Sequence, residues 1–200
     1  ITAVGGTVAV GPAADKGSPA NICAMCVYAP HNCPNQRTIA LDVVSNTPKT
    51  AAYRAPGAPQ AHLGVECVLN EIADEIGIDP IELRLLNAVD EDDRAFHGAK
   101  YKTIGLRETL QQARAHPHYS APLAESQGRG IAVGFWFNFG LQSSATINVH
   151  ESGKLTVITG SPDIGGSRAS MALMAAETLG IDLNHIKPVV ADTDSVGFND

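Results

Sequence analysis

The stretch YRAPGAPQAHLGVECVLNEIADEIGIDPIELRLLN, residues 53 to 87, orders a loop, a long helix, a turn and a second helix. Two prolines and a glycine in residues 53–60 exclude a regular element there, because proline lacks an N–H and restricts its neighbour. A helical pattern then starts near Ala58 and ends at Gly77, a typical C-terminal stop, with Glu71 and Glu75 on one side. Its apolar residues recur at helical spacing and predict an amphipathic helix: Leu63, Cys67, Val68, Ile72 and Ile76.

The turn into the next helix carries a strong start signal. Asp79 is an N-cap residue, Pro80 occupies the first helical position, and Glu82 follows three residues after the cap. We expect this short helix to run to about Val89. A third amphipathic helix is predicted over Gly105–Ala115.

The remaining elements are mostly strands. Residues 1–52 look like strand and loop, with a β-branched strand over Arg37–Val44. An aromatic-rich strand is predicted over Gly130–Phe139, and a hairpin turn at Glu151-Ser152-Gly153 follows it. This order predicts an α+β fold, in which antiparallel strand pairs are combined with segregated amphipathic helices. The last predicted elements are strands over Thr146–His150 and Lys154–Thr159, a helix over Arg168–Leu179 closed by Gly180, and a strand over Lys187–Ala191.

The composition is that of an ordinary globular protein. Hydrophobic residues make up 44% of the 200 residues, and 14 basic against 21 acidic residues give a net charge of −7. A disordered chain would carry fewer apolar residues, and an acidic chain without a Lys/Arg cluster is a poor partner for nucleic acid. No apolar run approaches the ~18 residues of a membrane span, and Ile1–Val10 is too glycine-rich and lacks the basic start of a signal peptide, so we expect a cytoplasmic protein. The sequence starts with Ile1 and stops at Asp200 without a terminal helix, which suggests a piece of a longer protein, although processing could give the same ends.

Three of the four cysteines lie close together near the N-terminus. Cys23 and Cys26 form a C-x-x-C pair, Cys33 follows, and His31 could complete a set of four metal ligands. A redox C-x-x-C normally opens a helix, and the nearby prolines argue against a helix here. A small cysteine metal or redox module is therefore an alternative to reduced thiols in a reducing compartment.

Two loops between a strand and a helix could receive an anion. Arg54 precedes the helix that starts near Ala58, and a helix N-terminus offers free N–H groups and partial positive charge. Gly160–Ser167 is the second loop, and its glycines let backbone amides approach a ligand. It lacks the Lys and the Ser/Thr that a phosphate-binding P-loop requires. The alternatives are an ordinary surface arginine and a tight strand-to-helix turn.

An aromatic segment could line a pocket. Alternation along a strand would send Phe135, Phe137 and Phe139 to one face and Trp136 to the other. One face should pack in the core and the other could contact a flat aromatic substrate, although core packing alone would explain both. The familiar hydrolase, metalloprotease and deaminase motifs are absent from the sequence, so no catalytic residue and no metal ligand is assigned.

Four stretches carry a resemblance when they are taken in order. They are YRAPGAPQ at Tyr53–Gln60, GIDPIELRLLN at Gly77–Asn87, TGSPDIGGSRASMALMAAETLGI at Thr159–Ile181 and VVADTDSVG at Val189–Gly197. The set resembles the large subunit of the molybdenum hydroxylases, the xanthine oxidase and aldehyde oxidase family. The resemblance extends over residues 35–200. It implies that residues 1–126 belong to a first molybdopterin-binding domain and that residues 127–200 begin a second one.

The resemblance also implies cofactors and partners. The family's large subunit binds molybdenum on molybdopterin, in bacteria often in the cytosine dinucleotide form, and hydroxylates an aldehyde or N-heterocycle carbon of a small molecule with oxygen from water. Iron–sulfur clusters of the 2Fe–2S type and usually FAD lie on other domains or subunits. The expected partners are therefore the rest of the large subunit and these iron–sulfur and FAD components. The family's catalytic Glu would lie beyond Asp200, so the alternative is a folded domain that is inert when isolated.

The matched motifs imply which residues contact the cofactor. Arg54 matches a family arginine whose backbone lies against the oxo ligands of the metal, with Tyr53 and Ala55 beside it. A second loop reads G-Q-G in other members, and here a glycine replaces the glutamine, so only backbone amides would reach the pterin. This second loop consists of Gly165, Gly166 and Ser167.

The same motifs imply a substrate pocket. Pro56 stands where the xanthine-specific members place a phenylalanine that stacks on the substrate, and this departure speaks against xanthine as the substrate. Trp136 and Phe139 fall in the segment that carries a second substrate-facing aromatic residue in the family.

Overall fold

The chain forms two compact units, Ile1–Phe137 and Asn138–Asp200. The computed structural model describes residues 1–14, 17–49, 53–95, 98–137, 142–190 and 194–197. Helices and strands occur in both units, which confirms the prediction of an α+β fold. No helix in these described ranges is long and apolar enough to cross a membrane.

The first unit packs helices against a pair of strands. Its strands run parallel, from the pair Val4 and Gln36 to the pair Val10 and Asp42. The prediction of antiparallel pairing is wrong here because a helix lies in the connection, and a crossover of this kind returns the chain in the same direction. The elements are β1 (Val4–Ala13), α1 (Ala20–Cys26), β2 (Gln36–Val44), α2 (Ala58–Ile76), α3 (Pro80–Leu86), α4 (Leu106–Ala115) and α5 (Pro117–Ser120).

The second unit is a three-stranded sheet with one helix packed on it. The hairpin strands β3 (Ala145–Val149) and β4 (Leu155–Thr159) are antiparallel, as predicted. β5 (Ile186–Val190) pairs with β4 in parallel, because α6 (Ser167–Leu179) carries the chain back across the sheet. The core between the sheet and α6 consists of Leu155, Val157, Ala172, Ala176 and Ile186.

The C-x-x-C pair lies inside a helix, which corrects the sequence prediction. Cys23 and Cys26 belong to α1 and are fully buried. Pro19 takes the N-cap position of this helix. Proline is tolerated at the start of a helix, where its missing N–H would have no partner in any case, so this proline flanks the helix rather than breaking it.

Helix α2 begins and ends where the sequence predicted, but its buried face is different. Leu63 and Ile76 of the predicted apolar face are 70% and 62% exposed. The buried face carries small residues, one leucine and two polar residues instead, because those polar residues have partners on other segments. This face consists of Ala58, Ala61, His62, Glu66, Leu69 and Ala73.

The turn between α2 and α3 follows the sequence signals. Gly77 closes α2 in the left-handed conformation. The Asp79 carboxylate accepts hydrogen bonds from the N–H groups of Ile81 at 2.9 Å and Glu82 at 3.0 Å. Burial raises the pKa of Asp79, but the hydrogen bonds from Tyr119 and from the two backbone amides outweigh it and lower the pKa overall. Helix α3 is shorter than predicted and ends at Leu86.

The aromatic-rich segment forms no strand in its described part, residues 130–137. The prediction of a strand over Gly130–Phe139 is therefore wrong for these residues. The exposure of its side chains nevertheless alternates from residue to residue, which indicates an extended backbone. Its backbone hydrogen bonds go to side chains of α2 and to Arg84 of α3 rather than to another strand.

Replacing Gly57 with alanine should destabilise the first unit. An added Cβ would lie 2.8 Å from the carbonyl oxygen of Pro19 and 2.9 Å from the amide nitrogen of Cys23, and φ at Gly57 is 91°. We expect Gly57→Ala to lower the free energy of unfolding by about 2–4 kcal/mol in urea denaturation, since overpacking and a left-handed backbone both cost energy. Gly64→Ala is the matched control in the same helix, because a Cβ there meets nothing within 4 Å. This control should raise the free energy of unfolding by about 0.5–1 kcal/mol, and equal losses in both variants would contradict the packing argument.

Replacing Asp79 with alanine should remove the N-cap of α3. The variant loses two backbone hydrogen bonds and the 2.8 Å bond from the Tyr119 hydroxyl. We expect its free energy of unfolding to fall by about 1–2 kcal/mol, while Asp79→Asn retains most of the stability because asparagine also caps helices. Asp74→Ala, at an exposed position of α2, is the control. Similar stability of Asp79→Ala and the control would show that the cap contributes nothing.

Candidate functional site

The loop before α2 has a strained backbone. Arg54 and Ala55 have φ of 37° and 55°, and Gly57 has φ of 91°. L-residues rarely adopt the left-handed region, and such strain concentrates at functional sites. Tyr53 and Arg54 are exposed, whereas Ala55 and Pro56 are half-buried. The loop therefore holds its tyrosine and arginine toward solvent on a backbone of defined shape.

The start of α2 offers fewer free amides than the sequence suggested. The Ala58 N–H donates to the Ala55 carbonyl at 3.1 Å, and Pro59 has no N–H. The first two helical residues therefore present no free donor to an anion. What this loop can contribute to an anionic ligand is chiefly the guanidinium of Arg54 and the shape of its backbone.

The glycine-rich loop before α6 is held together by one carboxylate. Asp163 Oδ1 accepts from the N–H groups of Gly165 and Ser167, each at 3.0 Å, and Oδ2 accepts from Arg168 Nε at 2.7 Å. Two amides that the sequence assigned to a ligand are thus engaged within the loop. Gly166 is the N-cap of α6 with φ of 98°, and a Cβ there would meet nothing within 4 Å.

Asp163 is charged over almost the whole pH range. The hydrogen bond from Arg168 and the N–H of Gly165 lower its pKa to about 2. The loop therefore contains its own anion at the N-terminal end of α6, where negative charge is favourable. This carboxylate fixes the loop geometry without any external group.

The aromatic segment has the alternation that the sequence predicted. Phe135 and Phe137 are partly buried, and Trp136 between them is 40% exposed. The ring of Phe135 meets Tyr101 and Phe137 edge to face, with centroids 6.0 Å and 5.2 Å apart. Phe139 lies outside the described residues. The described part therefore presents one indole outward from a packed aromatic cluster.

A buried polar cluster, which the sequence analysis missed, lies under this segment. The Glu66 carboxylate accepts from His31 Nε2 at 2.7 Å, from Arg84 Nε at 2.8 Å and from the Val133 N–H at 2.8 Å. Arg84 and Glu66 are 1% and 2% exposed. The available signal was the polar series at four-residue spacing in an apolar helix, His62, Glu66 and Asn70.

The cluster fixes the charge state of its members. Burial raises the pKa of Glu66, but the hydrogen bonds from His31, the Val133 N–H and Arg84 outweigh it and lower the pKa overall. Burial lowers the pKa of His62, against a smaller opposite effect of its hydrogen bond to Phe135. At neutral pH Glu66 is therefore ionised and His62 is neutral.

Cys23 and Cys26 are poorly placed for metal or redox chemistry. Burial raises the pKa of Cys23, and burial together with the neighbouring Cys23 raises that of Cys26 to about 11. Protonated thiols are neither nucleophiles nor good metal ligands. Within the part of the chain that the structure describes, no three His, Cys, Asp or Glu side chains are grouped to hold a metal ion.

An apolar groove of about 750 Å³ lies in the first unit between β1 and α2. Val4, Val8, Val65 and Val68 are among its lining residues, and no Asp, Glu, Lys or Arg lines it. It is therefore unsuited to an anionic cofactor. The predicted cofactor residues lie elsewhere, Tyr53, Arg54 and Ala55 in the first unit and Gly165, Gly166 and Ser167 in the second.

Comparisons with known proteins identify the family. Two family models, both described as molybdopterin cofactor-binding domains, match residues 3–88 and 102–199. The xanthine dehydrogenase molybdenum-binding subunit of Escherichia coli is 30% identical over 171 residues, which are 78% of this chain and 23% of that protein. The aldehyde oxidoreductase molybdenum-binding subunit of the same species is 32% identical over 155 residues, 73% of this chain and 21% of that protein.

A solved structure agrees with these sequence matches. The aldehyde oxidoreductase from Desulfovibrio desulfuricans aligns with a TM-score of 0.63 at 26% identity, covering 94% of this chain and 23% of that chain. The chain thus spans less than a quarter of the length of these relatives. Both family models and the relatives point the same way, and the chain belongs to the molybdopterin cofactor-binding domains of the xanthine dehydrogenase and aldehyde oxidoreductase family.

Proposed function

We propose that this chain supplies cofactor-binding loops to a molybdenum-containing oxidoreductase, which hydroxylates an aldehyde or N-heterocycle carbon with oxygen from water. The observation that carries the proposal is that two models of molybdopterin cofactor-binding domains match this chain. The left-handed backbone at Arg54 and Ala55, in the loop before α2, supports it. Residues 1–126 would belong to the first of these domains, and residues 127–200 would begin the second.

Each of the two loops, taken by itself, has one feature that suits an anionic group. Arg54 is exposed on a backbone whose left-handed conformation at Arg54 and Ala55 holds it in one shape. Gly166 has open space where a side chain would otherwise stand, so a ligand can approach its backbone closely. Tyr53, Ala55, Gly165 and Ser167 would lie beside these contacts, and the N–H groups of Gly165 and Ser167 already bind Asp163. When it is bound, the molybdenum centre supplies the transfer of oxygen to the substrate carbon and takes up the electrons.

The residues of the chain would bind and orient the reactants. The guanidinium of Arg54 would stabilise negative charge on the group that it faces. Asp163 keeps the second loop in shape, because it binds two of the loop's amides and Arg168. Trp136, Pro56 and Phe139 would face the substrate. Pro56 has no aromatic ring that could stack on a purine, so the proposal favours substrates other than xanthine.

The proposal includes partners and a location. Two relatives are named as molybdenum-binding subunits, which supports an assembly with iron–sulfur and FAD components and with the rest of the large subunit. The four cysteines are free thiols, which supports a cytoplasmic location because reducing compartments keep thiols reduced.

Replacing Arg54 with alanine in the intact enzyme should impair catalysis more than cofactor binding. The variant keeps much of the backbone that the cofactor would contact but loses the charge. We expect kcat/KM with aldehydes or N-heterocycles and a dye acceptor to fall about 100-fold, as for loss of one electrostatic contact to the reacting group. Molybdenum content, measured by mass spectrometry, should stay near that of the wild type.

The matched control is Arg37→Ala, which removes an exposed arginine that belongs to β2 and to neither loop. It should leave kcat/KM and molybdenum content unchanged. A parallel loss of molybdenum and activity in Arg54→Ala would contradict the role assigned to its side chain. An active wild-type enzyme without molybdenum or pterin would refute the proposed function itself.

A further inference from the structure

Side chains of α2 form hydrogen bonds with the backbone of the extended segment before Trp136, in the way that a neighbouring strand would. Asn70 Nδ2 donates to the Ile131 carbonyl at 3.3 Å, Glu66 Oε2 accepts from the Val133 N–H at 2.8 Å, and His62 Nε2 accepts from the Phe135 N–H at 2.9 Å. Four residues of helix rise about 6 Å, and two residues of extended chain span about 6.6 Å. These two distances are similar, so three side chains at four-residue spacing on the helix can contact three alternate residues of the segment.

Two of the three helix side chains are locked by other groups. Arg84 donates to Glu66 Oε2 at 2.8 Å and to Asn70 Oδ1 at 2.9 Å, and its Nη2 also reaches the Ile131 carbonyl at 3.2 Å. His31 holds the other oxygen of Glu66. The register of the segment at residues 131 and 133 is therefore fixed by buried charged groups.

His62 makes the last contact before the exposed aromatic side chain. Its Nε2 accepts from the Phe135 N–H and also lies 3.2 Å from the Phe135 carbonyl oxygen, so both contacts of this nitrogen are to the backbone of Phe135. The other ring nitrogen, Nδ1, is buried and has no hydrogen-bond partner. The contact to Phe135 is therefore the one that directs this imidazole, and it lies one residue before Trp136.

We propose that His62 is a positioning residue for the substrate: through the backbone of Phe135 it fixes the place of the Trp136 ring and so sets the affinity for flat aromatic substrates. The inference rests on the proposed function, in which Trp136 faces the substrate. His62 acts through another residue and takes no part in the chemistry. Aliphatic aldehydes, which offer no ring to stack on the indole, should be insensitive to it.

The test compares His62→Leu, which cannot accept a hydrogen bond, with His62→Gln, whose Oε1 can take the place of Nε2. In the intact enzyme, His62→Leu should raise KM for an aromatic aldehyde such as benzaldehyde about five- to tenfold, the size of effect expected for loss of one hydrogen bond to the part-buried Phe135 N–H. KM for acetaldehyde, kcat and molybdenum content should stay near the wild-type values. His62→Gln should restore KM for benzaldehyde, and His118→Leu at an exposed position is the control.

A spectroscopic measurement separates this inference from the proposed function. Trp136 is the single tryptophan of the 200 residues, so the spectrum of the wild type minus that of Trp136→Phe isolates its emission. The same difference is taken between His62→Leu and the double variant that also carries Trp136→Phe. The emission maximum of this difference spectrum should lie at longer wavelength than that of the wild type, and His62→Gln should restore the wild-type maximum. If His62→Leu does not fold, His62→Asn carries the same expectation, because its shorter side chain stops short of the Phe135 N–H.

Three outcomes would overturn the inference. They are an unchanged emission, an unchanged KM for benzaldehyde, and a loss of molybdenum or of acetaldehyde turnover equal to the loss with benzaldehyde. A different result would refute the proposed function instead: the active wild-type enzyme contains no molybdenum, yet His62→Leu still shifts the Trp136 emission. The positioning of Trp136 by His62 would then remain supported.

Discussion

The first unit depends on one buried carboxylate. Glu66 accepts hydrogen bonds from a histidine on the segment after α1, from an arginine on α3 and from the backbone of the segment that carries the aromatic residues. A buried charge is tolerated only when it is paired and its remaining lone pairs are used, and both conditions hold here. Loss of the carboxylate would leave the Arg84 guanidinium, 1% exposed, without its charged partner. Removing one partner of a buried ion pair typically lowers the free energy of unfolding by about 3–5 kcal/mol.

The helix ends could be predicted from the sequence because their causes are local. Asp79, Pro80 and Glu82 lie next to each other and specify the start of α3 without help from the rest of the chain. Gly77 and Gly180 end their helices because a left-handed residue is needed there. The hairpin of β3 and β4 has the same origin, since a short turn determines its register.

The buried face of α2 could not be predicted, because its causes are distant. The partners of Glu66 lie 35, 18 and 67 positions away in the sequence, and nothing near Glu66 announces them. The same distance explains why the segment before Phe137 was mistaken for a strand. Its alternating pattern was correct, but the groups that bind its backbone are side chains of a helix.

The two candidate loops also differ in how far their geometry followed from the sequence. Both were recognised as glycine- or proline-rich connections that could face an anion. The sequence could not show that the Ala58 N–H is bound to the Ala55 carbonyl, or that Asp163 uses two amides of the second loop. Only the first loop combines left-handed non-glycine residues with an exposed arginine, and this makes it the stronger candidate.

The parallel pairing of β1 and β2 affects how the 200 residues should behave when they are purified alone. Parallel strands are normally covered on both faces, yet Ile39, Leu41 and Val43 of β2 are exposed, and the described residues add no further strand to this pair. An uncovered apolar ribbon with open edges is a template for intermolecular strand pairing. Purified alone at high concentration, the 200 residues would tend to aggregate through this ribbon, and a charged substitution on its outer face is the natural remedy.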